Sequence, residues 1–100
     1  LPASSSADQK TVRYAVAEGV LGRSVGDDLL VHLFETDDVF VLNRDARVVF
    51  EAVKESSSVD ELHAHVATRV FGDALELSQL VDSALERMVA AGILVRTVEG

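Results

Sequence analysis

Cysteine is absent from this 100-residue chain, which removes disulfides, thiol nucleophiles and cysteine-ligated zinc and leaves the redox compartment undetermined. Proline occurs once, at Pro2, and tryptophan not at all. Basic residues are few. Nine Lys and Arg stand against 17 Asp and Glu, a formal charge of −8, and the nine are scattered from Lys10 to Arg96 without a run. Phosphate backbones and anionic membrane surfaces both demand clustered cations, so nucleic acid and membrane are disfavoured as partners. No apolar stretch approaches the ~20 residues of a membrane span and no signal-peptide pattern opens the chain, so a cytoplasmic location is expected. The first residue is Leu1 rather than Met, as in an excerpt of a longer chain. What is plentiful is apolar: 48% of residues are hydrophobic, enough for one domain around one modest core.

Residues 1–10, "LPASSSADQK", are small and polar, and residues 11–21, "TVRYAVAEGVL", fit strand and short helix equally. Residues 1–19 therefore read as a flexible tail or linker, and residues 20–100 as the folded domain. "VGDDL" is a turn signal, with Gly26 free to take a positive φ. The runs "LLVHLF" and "VFVLN", joined by the acidic "ETDD", read as an antiparallel hairpin. Alternation puts Leu29, Val31 and Leu33 on one face and Leu30, His32 and Phe34 on the wetter one. On that outer face Leu30, Phe34, Val39 and Val41 would gather, a patch that favours self-association or a cover by residues 11–21.

Three helices follow. Ala46, Val49, Phe50 and Val53 form an apolar stripe that begins just after Asn43, a residue able to end the strand and cap the helix. Ser58 and Glu61 form a capping box ahead of Val59, Leu62, Val66 and Val70, with Gly72 as the expected stop. Asp73 and Glu76 start a longer helix striped by Leu77, Leu80, Val81, Ala84, Leu85 and Met88, which Gly92 ends before the extended "ILVRTV". The order is thus strands first and then three helices, an α+β class whose helix pair and extended end also match a winged helix-turn-helix.

Little in this arrangement is catalytic. His63 and His65 are two apart on a helix and point in different directions, so they do not share a metal ion. Asp27, Asp28, Glu35, Asp37 and Asp38 sit in turns, where carboxylates are solvated rather than convergent. "DSAL", residues 82–85, resembles the Asp-Ser-Leu signature of acyl carrier proteins, but Ser83 lies mid-helix whereas the carrier serine opens one. A winged helix would read DNA with its third helix, yet over residues 73–91 the single basic residue Arg87 faces Asp73, Glu76, Asp82 and Glu86. What remains is the run 39–42. In a simple meander it lies at the sheet edge, with no charge, proline or glycine to blunt it, so it is either covered by residues 11–21 or a binding site.

The segments "VFVLNRDARVVFEAV", "SSSVDELHAHVATRVFG" and "LVDSALERMVAAGIL" resemble the strand, Leu-Asn step and helices of the PqqD family, peptide chaperones also called RiPP recognition elements. The resemblance spans residues 20–95. It implies an α+β, winged helix-turn-helix-like fold, a three-stranded antiparallel sheet followed by three helices, in a non-catalytic, cofactor-free domain that binds the leader of a ribosomally synthesised precursor peptide as an added β-strand and presents it to a tailoring enzyme: a radical SAM enzyme, a cyclase or a leader peptidase. Carried onto this chain, the peptide-binding edge is Val39, Phe40, Val41 and Leu42, and the opposing helix wall is Leu77, Leu80, Val81, Ala84, Arg87 and Met88. The chain departs from the family's pattern at Arg44, Asp45, Ala46 and Arg47, where many members carry small residues, and at Phe50, near the usual Trp. The alternative is a non-catalytic interaction domain that uses the same edge to form a homodimer or to dock onto a fused or partner enzyme.

Overall fold

The computed structural model describes residues 11–55 and 58–99. In chain order the elements are β1 (Thr11–Val16), β2 (Val20–Val25), β3 (Asp28–Leu33), β4 (Asp38–Leu42), α1 (Arg44–Glu55), α2 (Val59–Ala67), α3 (Ala74–Ala91) and β5 (Leu94–Glu99). The architecture is α+β: an antiparallel meander β2–β3–β4 leads into three helices, as in a winged helix-turn-helix. A second sheet pairs β1 with β5, antiparallel from Thr11 opposite Glu99 to Val16 opposite Leu94.

That second sheet corrects the domain boundary. Within the tail expected over residues 1–19, Thr11–Val16 is instead a strand that packs on α1 and α2 as well as on β5. Residues 1–10 lie outside the described residues. The strand nature of β1 depends on a partner some eighty positions away, which local periodicity does not report. β1 is also fully engaged with β5 and leaves the edge of β4 uncovered.

Strand β3 supplies the floor of the core. Leu29, Val31 and Leu33 are buried in strict alternation with the half-buried Leu30 and His32. Against them pack Val49, Phe50 and Val53 of α1, Leu62 and Val66 of α2, and Val81, Leu85 and Met88 of α3. Each such side chain contributes about 1.5–3 kcal/mol by leaving water. The opposite face of the meander stays wet: Val39 and Val41 are exposed beside His32 and Leu30, their cross-strand partners. The Phe34 ring meets the His32 ring edge-on at 4.6 Å on the same side.

The turns follow their chemistry. Gly26, at φ +61, and Asp27, whose φ is negative, form the two-residue connection between Val25 and Asp28, the pattern of a type II′ hairpin turn with glycine first. The β3–β4 connection is residues 34–37, one position earlier than expected. Asp37 takes φ +59, and its Oδ1 lies 2.8 Å from His32 Nε2, which steadies that left-handed backbone.

Each helix starts where its cap residue stands. Asn43 Oδ1 accepts the Ala46 N–H at 2.9 Å, and Asp73 Oδ1 accepts the Glu76 N–H at 2.8 Å. Ser58 Oγ accepts the Glu61 N–H at 3.4 Å and donates to Glu61 Oε1 at 3.0 Å, a variant of the capping box. The expected stop of α2 at Gly72 is corrected to Thr68. There the backbone N–H and the hydroxyl of Thr68 both bond the His65 carbonyl, at 3.2 and 2.7 Å, so the side chain competes for the acceptor that another turn of helix would need. Gly92 ends α3 at φ +85, with its N–H returning to the last turn.

Candidate functional site

A trough of about 430 Å³ runs between β4 and α3. Helix α3 packs chiefly on α1, α2 and β5 and stands off β4, and the gap is the trough. One wall is Phe40, Val41, Leu42 and Asn43; the other is Leu80, Ser83, Ala84, Arg87, Met88 and Ala91 from α3. Asp45 and Ala46 close the end at the start of α1, and Ile93 also contributes. The surface is mixed, apolar only somewhat more than polar, with Asn43, Asp45, Ser83 and Arg87 as its polar side chains.

Of the residues named from sequence, Phe40, Val41, Leu42, Leu80, Ala84, Arg87 and Met88 line this trough. Val39 lies on the outer sheet face, 55% exposed. Val81 faces the core and is fully buried. Leu77 is half-buried against the core near Gly72, away from the trough. Asn43, Asp45, Ala46, Ser83, Ala91 and Ile93 were not named. Extending the helical spacing from Leu80 through Ser83, Ala84 and Arg87 to Ala91 would have found the α3 members, because they share the face next to the core stripe. Asn43 fills the capping role expected of it and lines the trough as well.

The hydrogen-bond parity of β4 follows from the sheet. The Phe34 N–H donates to the Gly19 carbonyl at 2.9 Å, toward β2. Backbone groups alternate in direction along a strand, so His32, Leu30 and Asp28 also bond toward β2, while Leu33, Val31 and Leu29 bond toward β4. The hairpin agrees: Val25 and Asp28 close a two-residue turn and should exchange hydrogen bonds. Across the second ladder, Leu33, Val31 and Leu29 oppose Asp38, Phe40 and Leu42. Those three bond inward. The N–H and C=O groups of Val39 and Val41 therefore point out of the sheet along the open edge, next to the trough.

Side chains and backbone thus divide the work on β4. Phe40 is half-buried and Leu42 is buried, both on the helix side, and both line the trough. Val41 is 66% exposed, on the outer face. A strand laid antiparallel along this edge would bond to Val39 and Val41, and its residues opposite Phe40 and Leu42 would turn into the trough.

The other candidate centres do not converge. His63 Nε2 is 3.4 Å from Asp82 Oδ1 on α3, and His65 Nδ1 is 3.6 Å from Glu55 Oε2 on α1, so the two imidazoles serve different helices. Among the described residues no group of three or more His, Asp and Glu is placed to hold a metal ion. The Asp73 carboxyl is held below its ordinary range; the cause is the Glu76 N–H that it caps, at a helix start away from the trough. Among the described residues no helix is long and apolar enough to cross a membrane. Comparison of the chain with protein-family models, curated proteins and solved structures yields no match.

Proposed function

We propose that this domain binds the leader segment of a ribosomally synthesised precursor peptide as an added strand on β4 and presents it to a tailoring enzyme, with no catalysis of its own. The observation that carries the reading is the coincidence of an open edge and a trough: Val39 and Val41 offer unpaired backbone groups beside a channel that Phe40, Leu42 and α3 line. Strand addition draws affinity from backbone bonds that are blind to sequence, and selectivity then comes from pockets for alternate side chains. The resemblance to the PqqD family supports the same use of the same strand and helix. Precursor, leader and tailoring enzyme would meet in the cytoplasm, where the precursor is made.

The test uses synthetic peptides covering the N-terminal segments of short open reading frames that neighbour this gene. Amide hydrogen exchange, resolved by residue, is the readout. A cognate peptide slows exchange at Val39 and Val41 while leaving Phe40, already bonded to β3, unchanged. Binding that protects neither valine places the site elsewhere and refutes strand addition. Protection of both valines at high protein concentration without peptide favours the second reading, a homodimer through the same edge, for which the exposed Val39 and Val41 side chains speak.

A further inference from the structure

The trough carries opposite charges toward its two ends. Arg87 is the only basic residue of α3 and forms no hydrogen bond or ion pair among the described residues. The Asp45 carboxylate, in the first turn of α1, also has no side-chain partner there. Its neighbour Arg44 is exposed and lines no part of the trough.

Their order along the trough follows from the direction of α3. A Cβ on Gly92 would lie 3.3 Å from Leu33 Cδ2, and Leu33 is paired with Asp38. The C-terminal end of α3 therefore meets the beginning of β4, and the helix runs back along the strand toward Asn43. Leu80 lies seven residues before Arg87, about 10 Å along the axis. Phe40 and Asn43 are about 10 Å apart along the strand. Arg87 accordingly stands on the Phe40 side, and Leu80 with Asp45 on the Asn43 side.

We infer that the trough selects peptides by charge order: a basic residue, an apolar residue and an acidic residue at alternate positions, from N- to C-terminus. This inference rests on the strand-addition reading and adds to it the class of segment accepted. An incoming strand that continues the antiparallel pattern of the sheet runs opposite to β4, with its N-terminal half against Asn43 and Asp45 and its C-terminal half against Arg87. Residues at i, i+2 and i+4 face the trough and span about 13 Å, which brings the outer two to the two charges and the middle one onto the apolar floor. The chain as a whole is acidic at −8, so one unpaired arginine in the trough is the local exception that an acidic ligand residue would find.

Three capped nine-residue peptides test this by fluorescence anisotropy at low salt. All share an extended, valine-rich frame. One carries lysine then glutamate four positions apart, one carries them reversed, and one has glutamine at both places. The lysine-first peptide should bind about tenfold more tightly than the reversed one, the sum of partly solvated pairs gained and like-charge contacts avoided, and the gap should shrink as salt rises. Arg87→Gln, at an exposed position, should cut that preference to about threefold without altering the far-ultraviolet circular dichroism. Asp45→Asn should act likewise, and its melting curve controls for loss of an acidic group from the first turn of α1. Equal binding of all three peptides overturns the charge rule and leaves strand addition standing. So does a preference untouched by Arg87→Gln, and a preference for the reversed peptide overturns the antiparallel direction and the rule with it. If none of the three binds while a neighbouring-gene leader still protects Val39 and Val41, the rule alone is refuted; if that leader fails too, the parent reading falls with it.

Discussion

Proline substitution along β4 separates the backbone groups that hold the sheet from those left for a ligand. Phe40→Pro deletes an inward N–H in the middle of the ladder, where Phe40 opposes the fully buried Val31. The lost bond costs about 1 kcal/mol, and the carbonyl left unpaired next to the core costs about 1–3 more. Loss of the half-buried Phe40 ring adds about 1–2 kcal/mol. The total is about 4 kcal/mol, a fall in Tm of roughly 15–30 °C for a domain of this size. Val41→Pro removes a donor that already faces water, and it replaces a side chain that is 66% exposed. The residue before a proline prefers extended backbone, which Phe40 already has. The expected cost is about 1 kcal/mol, or roughly 5 °C.

The binding effects should run the other way. In Val41→Pro the ring carbon sits where the outward N–H had pointed, so the variant loses one hydrogen bond to the added strand and also blocks its approach; leader affinity should fall at least tenfold. Thermal melts followed by circular dichroism and peptide titration by anisotropy read the two properties, with Phe40→Ala as the control for ring loss alone. Equal destabilisation by Phe40→Pro and Val41→Pro would refute the hydrogen-bond parity. A stable Val41→Pro that binds its leader normally would refute strand addition on β4.

Two further outcomes concern what holds the platform in place. Arg47 reaches from α1 to the β2–β3 turn, where its Nη1 donates to the carbonyls of Gly26 at 3.3 Å and Asp28 at 3.1 Å and its Nη2 to Ser24 Oγ at 2.6 Å. Arg47→Met should lose about 1–2 kcal/mol in urea unfolding, and Arg47→Lys should recover less than half of it, since an ammonium does not reproduce the planar fork; a loss below about 0.5 kcal/mol would show that the clamp is solvated away. Asp73 titrates below its ordinary value of 3.8 because its carboxylate caps α3. A depressed carboxyl contributes stability that is complete above the unfolded value and is lost as pH falls from there through the lower folded value. Asp73→Asn keeps a capping oxygen and removes the titration, so the fall in stability below about pH 4 should be shallower than in the parent, and an unchanged acid limb would remove Asp73 as its source.

What the sequence disclosed was local. Asn43, Ser58, Asp73 and Gly92 each announce a helix end through their own side chain or φ, and each stands at the end it announced. β3 was legible because one face is buried and the other half-wet, so that Leu29, Val31 and Leu33 alternate. β2 was not, because it is exposed along nearly its whole length and has no alternation to show. β1 was obscure for the opposite reason: its order comes from β5 and two helices far away in sequence. In the site, the strand wall was readable from the lack of any blunting residue between Val39 and Leu42. The helix wall was readable only in part: Leu80, Ala84, Arg87 and Met88 line the trough, but Val81 and Leu80 look alike in composition, and only their rotation about α3 sends one to the core and the other to the trough.

The parity of β4 also accounts for side chains that the core does not use. Val39 and Val41 expose more than half of their surface on the outer sheet face, an unfavourable place for two branched apolar residues in an isolated domain. On the proposed added strand, the residues hydrogen-bonded to Val39 and Val41 project to that same outer face and lie directly beside them. Their neighbours, opposite Phe40 and Leu42, enter the trough. A bound leader would then be held on both of its faces, through the trough on one side and the two valines on the other, with the edge backbone bonds between. A slip of one residue in the β3–β4 register would reverse every one of these assignments, turning Phe40 and Leu42 to water and the outward donors inward. Burial of Leu42 against the core, together with Asn43 held as the cap of α1, opposes that slip and keeps edge and trough in phase.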